Sequence, residues 1–255
     1  MSCALPPSLA IAGAALTDTG LVRDNNEDVV AYLPPDNAGT GTALALVADG
    51  MGGHAAGEVA SRIAADMVRQ VCRMEAAVPA AQRLGHCFAA ANEAIRQRSL
   101  ADPACTGMGT TCTVLVVEQG SAFLGHIGDS RAYLLRGSRL TQLSEDHSVV
   151  GELVRAGAIT PDEAFYRPDR HLILRALGID PVAAPQVWPV GLPIQAGDIF
   201  ILCSDGLSDM IPDAEIAALA PGRDPKAACR VLMDAALAAG GHDNVSVAVV
   251  VIGPG

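Results

Sequence analysis

Residues 111–143, TCTVLVVEQGSAFLGHIGDSRAYLLRGSRLTQL, contain the fold decision. The runs Thr111 to Val117, Ala122 to Ile127 and Ala132 to Leu135 are short, rich in Val, Ile and Leu, and bounded by Gly or Asp. That is the pattern of strands. The connections Glu118-Gln119-Gly120-Ser121 and Arg136-Gly137-Ser138-Arg139 are too short for a parallel crossover, which needs about a dozen residues. Neighbouring strands must therefore run antiparallel, in the manner of a meander.

The same pattern recurs at Ala43 to Ala48, Ile199 to Cys203 and Val245 to Ile252. Between these runs lie helical periods. Val59, Ile63, Met67 and Val71 fall four apart, with Arg62, Asp66 and Arg69 on other faces. A second helix is expected near Arg83 to Leu100, with Leu84, Phe88, Ala91 and Ile95 inward. A third begins at Asp224-Pro225, an N-cap followed by proline, and ends at Gly240-Gly241. Residues 144–180 break the pattern: Thr160-Pro161-Asp162-Glu163 has capping-box spacing inside a polar, Arg-rich segment, which predicts a small mobile flap. No Gly/Ser/Pro linker divides the chain, so residues 1–255 are expected to form a single domain of class α+β.

Composition removes several functional classes. Half of the 255 residues are apolar and 18% are charged, enough for a sizeable core. The net charge of −11, without a basic patch, argues against nucleic-acid or anionic-membrane partners. Residues 1–17 have uncharged side chains and are fairly apolar, but lack a basic n-region, and Pro6-Pro7 interrupts them, so they are not read as a signal peptide. Seven scattered cysteines without a C-x-x-C suggest buried thiols in a reducing compartment, hence a cytoplasmic protein, with monomer as the default state.

Carboxylates sit at the ends of the apolar runs. Asp49 ends Leu44 to Ala48, Asp129 follows Phe123 to Gly128, Asp205 follows Phe200 to Ser204, and Asp243-Asn244 precedes Val245. A buried carboxylate is costly unless paired or bound to a metal, and no Lys or Arg adjoins Asp49, Asp205 or Asp243 in sequence. If these ends converge, a divalent cation is the natural counter-charge. Taken singly, Asp49-Gly50 and Asp205-Gly206 also read as ordinary turns.

Flanking residues separate the two readings. Arg23-Asp24-Asn25-Asn26-Glu27-Asp28, Asp49-Gly50-Met51-Gly52-Gly53-His54, Gly109-Thr110-Thr111, Gly128-Asp129-Ser130-Arg131, Ser204-Asp205-Gly206-Leu207-Ser208-Asp209 and Gly241-His242-Asp243-Asn244 resemble, in order and spacing, the motifs of the metal-dependent PP2C (PPM) protein serine/threonine phosphatases of bacterial type. The resemblance implies a four-layer α-β-β-α sandwich, two mostly antiparallel sheets flanked by helices. It implies two Mn2+ or Mg2+ ions, and phosphoserine or phosphothreonine hydrolysis by a hydroxide bridging them, opposing a Ser/Thr kinase. Asp49 would bridge both ions, the Gly50 carbonyl would ligate one, and Asp205 and Asp243 would hold the other. Asp129, with Asp205, resembles the pair that holds a third, weaker ion. Glu27 and Asp28 would orient metal-bound waters, and Asn244 would support the Asp243 loop.

Chemistry favours these residue types independently of the family. Carboxylate and carbonyl oxygens suit Mg2+ and Mn2+, two metals acidify water and clamp phosphoryl oxygens, and the Arg23 guanidinium offers paired donors to phosphate. Many eukaryotic relatives carry histidine where this chain has Met51; the proton donor is then His54 or a metal-bound water, with a structural His54 the third reading. His126 and His242 read as packing or supporting groups and His147 as structural. Cysteine-based catalysis is excluded because no cysteine is followed by arginine at the C-x5-R spacing. The alternative from another class is a catalytically silent binding or scaffolding module, whose mark would be a lost metal carboxylate.

Overall fold

The computed structural model describes residues 9–35, 41–52 and 56–255. Strands β1 (Leu9–Asp18), β2 (Asp28–Leu33) and β3 (Ala43–Met51) lead into helices α1 (Ala56–Met74) and α2 (Ala80–Ala101). Then come β4 (Gly109–Thr110), β5 (Cys112–Glu118), β6 (Ser121–Ile127), β7 (Arg131–Arg136) and β8 (Arg139–Gln142). Helices α3 (Val149–Arg155) and α4 (Pro161–Phe165) precede β9 (Gln186–Val187), β10 (Leu192–Pro193) and β11 (Ile199–Cys203). The chain closes with α5 (Asp205–Ser208), α6 (Asp213–Leu219), α7 (Pro225–Ala238) and β12 (Val245–Pro254).

Among the described residues all strand pairs are antiparallel. One sheet has the order β1-β12-β11-β7-β8; the other runs β10-β6-β5-β3-β2, with β4 on β3 and β9 on β6. Alternation along the strands explains why the two stack. On β3, Ala43, Ala45 and Val47 join Phe200, Leu202, Ala248 and Val250 between the sheets, whereas Leu44, Leu46 and Ala48 face α1 and α2. On the sheet that holds β11 and β12, Ile201, Cys203, Val247 and Val249 face the α7 side with Leu232 and Met233. A strand buried on both faces shows an unbroken apolar run, and three apolar layers between four layers of structure follow. The α-β-β-α sandwich is therefore present.

The structure corrects the expected meander and adds two features. β5 and β6 form the expected hairpin, as do β7 and β8, but β6 and β7 are not sheet neighbours. The chain crosses between sheets at Gly128-Asp129-Ser130, where Gly128 adopts φ +111 and a Cβ would lie 2.6 Å from Thr111. Glycine is required there. On α1, the face deepest in the core is Ala60, Ala64, Ala65 and Val68, while Val59, Ile63, Met67 and Val71 are only partly buried, because small residues let the helix approach the sheet. The apolar N-terminal stretch contains a ten-residue strand, β1, paired along its whole length with β12.

Other boundaries match. Asp224 caps α7 by accepting from the Lys226 and Ala227 amides, and Thr160 with Glu163 forms the capping box that opens α4. Among the described residues no helix is long and apolar enough to cross a membrane.

Candidate active site

Strand register brings the carboxylates together at one end of the sandwich. Asp28 pairs with Asp49 across β2 and β3. Asp205 leaves the end of β11 as the first residue of α5, Asp243 stands just before β12, and β11 and β12 are neighbours. Asp129 lies in the crossing between the sheets. Asp49, Asp205 and Asp243 thus line one cavity, and Asp129 lines an adjoining one that shares Asp205.

Backbone contacts fix the site. The Asp49 amide donates to Thr111 Oγ1 at 2.9 Å, and Thr110 Oγ1 donates to the Asp49 carbonyl at 2.8 Å, so the Gly109-Thr110-Thr111 motif anchors this strand end. A Cβ at Gly50 would lie 2.1 Å from the Gly57 carbonyl oxygen, so only glycine lets the N-terminus of α1 pack on this turn. Ser61 donates to the Glu27 carbonyl at 2.6 Å, tying α1 to the loop before β2. Asn244 is the hub of the opposite side: its Oδ1 accepts from the Glu27 amide at 2.8 Å, and its Nδ2 donates to the Thr19 and Asn25 carbonyls, each at 2.9 Å.

A cavity of about 950 Å3 is lined by Arg23, Glu27, Asp49, Gly50, Asp205, Asp243 and Asn244, among others. Asp28 lies behind it, receiving a 2.8 Å hydrogen bond from Ser204. Asp129 instead lines an adjoining cavity of about 620 Å3, under α3 and α4, that shares Asp205 with the first. Arg23 Nη2 donates to Asp243 Oδ2 at 2.6 Å, so the residue expected to hold phosphate is engaged with an expected metal ligand. His54 lies outside the described residues.

Electrostatics bear on what the site can hold. Burial, with the added charges of Asp205 and Asp243, pushes the Asp28 carboxyl up to about 7 against the bonds from Ser246 and Ser204. Burial, then the charges of Asp209 and Asp243, pushes Asp205 up to about 7 as well. Asp49 and Asp129 are raised well above the usual carboxylate range, first by burial and then by neighbouring aspartates, and burial raises Glu27. Asp28 Oδ1, Asp129 Oδ1 and Asp205 Oδ1 are buried without a hydrogen-bond partner. Unpartnered, mutually repelling oxygen donors fit a hard divalent cation.

One grouping was not anticipated from the sequence. Donor atoms of His171, Asp205 and Asp209 all lie within 4.8 Å of one another, and among the described residues no other such set of three or more His, Cys, Asp or Glu side chains occurs. Asp209 was legible in principle, four residues beyond Asp205 on the turn of α5. His171 was not, because it reaches the site from the 144–180 segment, which returns through the bridge between Ser148 and Ile173. Arg170 Nε also donates to Asp209 Oδ2 at 2.9 Å.

Known proteins resemble this chain in sequence and fold. The chain is 40% identical over 245 residues to the serine/threonine protein phosphatase PstP of Mycobacterium tuberculosis, a match that covers 95% of this chain and 45% of PstP. It thus spans under half the length of that relative. It is 35% identical to the serine/threonine phosphatase stp of Listeria monocytogenes, covering 92% of this chain and 93% of stp. A crystal structure of the PstP catalytic domain in complex with two manganese ions superposes with a TM-score of 0.83 at 39% identity, covering 96% of this chain and all of that one. Residues 24–238 match the family described as Protein phosphatase 2C. That span runs from the loop before β2 to the last residue of α7 and takes in strands of both sheets and the helices over each: the chain belongs to the protein phosphatase 2C family.

Proposed function

We propose that this chain hydrolyses phosphoserine and phosphothreonine in proteins, in a reaction dependent on Mn2+ or Mg2+, and that it opposes a Ser/Thr kinase. The observation that carries this reading is that Asp49, Asp205 and Asp243, from separate strand ends, line one cavity while Asp129 lines an adjoining one that shares Asp205, and that Oδ1 of Asp129 and Oδ1 of Asp205 are buried without a hydrogen-bond partner. A binding module that had given up catalysis would have no need to retain all four. Support for the two-ion dependence comes from the manganese complex of a 39% identical neighbour.

Asp49, the Gly50 carbonyl, Asp205 and Asp243 would hold two ions, and Asp129 with Asp205 a third. Bound ions would supply Lewis acidity, acidifying water and drawing charge from the phosphoryl oxygens. Glu27 and Asp28 would orient water at the ions. Asn244 holds the Asp243 loop against the Glu27 loop and so keeps the two halves of the site in register. Arg23, on the rim and more than half exposed, would exchange Asp243 for the substrate phosphate, offering it paired charged donors. The net charge supports a reading without nucleic-acid or membrane partners, the scattered thiols support a cytoplasmic enzyme, and the lack of a dividing linker supports a single domain, with monomer as the default state.

The test is hydrolysis of a phosphothreonine peptide with Mn2+, with and without EDTA. Saturable turnover abolished by the chelator is expected. Turnover indifferent to the chelator, or none on several phosphopeptides despite metal binding, would contradict the proposal.

A further inference from the structure

Away from the site, the helical layer of α1 and α2 holds a pair of thiols that the phosphatase reading does not use. Cys72 in the last turns of α1 and Cys87 on α2 face each other with their Sγ atoms 3.7 Å apart. Cys87 is buried and Cys72 only partly so, which makes Cys72 the sulfur that a small solute reaches. Beside them lies Arg83, one turn before Cys87 and only 1% exposed. Its Nη1 donates to the Ala76 and Val78 carbonyls at 3.1 and 2.8 Å, closing the loop between the helices, and its Nη2 pairs with Glu118. Its Nε has no hydrogen-bond acceptor.

A buried guanidinium next to a thiol favours the thiolate, the form that reacts. The hydrogen bond from Cys87, and then the charge of Arg83, make Cys72 the more acidic of the two, while the same contact and burial raise Cys87. One sulfur is thus accessible and activated, and the other is buried and in contact with it. An S–S bond is about 2 Å long, so the two sulfurs have to approach by less than 2 Å to form one.

The geometry points to a reversible disulfide between Cys72 and Cys87, formed by hydrogen peroxide, with Cys72 as the attacking and Cys87 as the resolving sulfur. The Cys72 thiolate attacks one peroxide oxygen; the O–O bond breaks, leaving a sulfenic acid and a hydroxide that takes up a proton to become water. The Cys87 sulfur then attacks the sulfenic sulfur, the S–O bond breaks, and the departing hydroxide takes the Cys87 proton as a second water. Two electrons pass from the pair of sulfurs to the peroxide, and a dithiol returns them. The bond staples α1 to α2 about 22 Å along α1 from Gly57, at the end of that helix away from the metal ligands.

The full-length chain is exposed to hydrogen peroxide, alkylated, digested with trypsin and analysed by mass spectrometry. The expected product joins residues 70–73 to residues 84–96, with the loss of two hydrogens, and disappears on addition of dithiothreitol. It is lost in both Cys72→Ser and Cys87→Ser and persists in Cys112→Ser, which removes the thiol of neighbouring β5. Dimedone is expected to trap Cys72 as its sulfenic acid in Cys87→Ser. The inference is overturned if folded wild-type protein, confirmed by circular dichroism, carries Cys72 oxidised while Cys87 stays reduced, links either sulfur to another cysteine, or leaves both thiols unreacted.

Discussion

Asp28 on β2 lies directly opposite Asp49 on β3, so two carboxylates occupy one position of the same antiparallel ladder. Like charges in that relation destabilise a strand pair. Burial and the Asp28 charge are also the leading causes that raise Asp49. In EDTA at pH 8, Asp49→Asn is therefore expected to stabilise the folded chain, by on the order of 1 kcal/mol, the equivalent of about one pKa unit. The same substitution is expected to abolish turnover and the stabilisation that Mn2+ gives the wild type. Urea denaturation with and without Mn2+ measures both, and a metal-free variant less stable than wild type would show that these charges are not the dominant local effect.

Arg23 is expected to act in two directions. Its 2.6 Å bond to Asp243 competes with any cation for that carboxylate, while its guanidinium is the rim donor for phosphate. Arg23→Ala should lower kcat/KM for a phosphopeptide by about tenfold or more, the scale of a lost charge-assisted bond. The same variant should bind Mn2+ more tightly. Calorimetric titration of Mn2+ beside steady-state kinetics separates the effects, and parallel losses in both would refute the double role.

A stacked histidine pair underlies the crossing between the sheets. His126 and His147 have ring centroids 5.0 Å apart; His126 Nε2 lies 3.0 Å from the Gly128 carbonyl, and the Gly128 amide donates to His147 Nδ1 at 3.1 Å. Burial, then the neighbouring His147, pushes His126 down to about 3, and burial pushes His147 down to about 4. In the unfolded chain both titrate near ~6.5, so between that value and about pH 4 the unfolded state binds protons that the folded state does not. Their stabilisation is complete above pH ~6.5 and lost as pH falls towards 4. The site aspartates, raised in the folded state, contribute in the opposite sense, so the comparison is wild type against His126→Gln. The urea midpoint of wild type should fall more steeply from pH 7 to pH 5 than that of the variant; equal slopes would mean that the pair does not titrate on unfolding.

The flap expectation concerns residues 144–180. Its ends are pinned: Leu174 N donates to the His147 carbonyl at 2.7 Å, and Leu177 exchanges backbone bonds with Thr110. Between these pins stand only the short helices α3 and α4. Hydrogen exchange should be fast through residues 157–170 and slow at Leu174 and Leu177. Uniform protection across the segment would count against a mobile flap.

How far the sequence could be read depended on where the information lay. Asp49 and Asp205 were legible because each directly follows an apolar run, so that the strand pattern itself located the carboxylate. The change of sheet at Gly128-Asp129-Ser130 was not, since β6 and β7 are equally apolar whether they pair with each other or with β5 and β11. The apolar stripe of α1 that the sequence shows packs against the core but is not its deepest face, because periodicity rewards large apolar residues, while close packing on β3 selected Ala60, Ala64 and Ala65. β1 carries no charge before Asp18 and alternates only weakly in burial, so its pairing with β12 is a long-range fact. The meeting of His171 with Asp205 and Asp209 depends in the same way on tertiary bridges.

The central claim is that these strand-end carboxylates form a divalent-cation site on which phosphatase activity depends. Equilibrium dialysis of Mn2+ against wild type and Asp205→Asn, with phosphothreonine peptide turnover measured on the same samples, tests it most directly. The account predicts at least two bound Mn2+ per wild-type chain, fewer in the variant, and turnover that disappears with the lost ion. Full Mn2+ occupancy in Asp205→Asn, or undiminished turnover without it, would contradict the account.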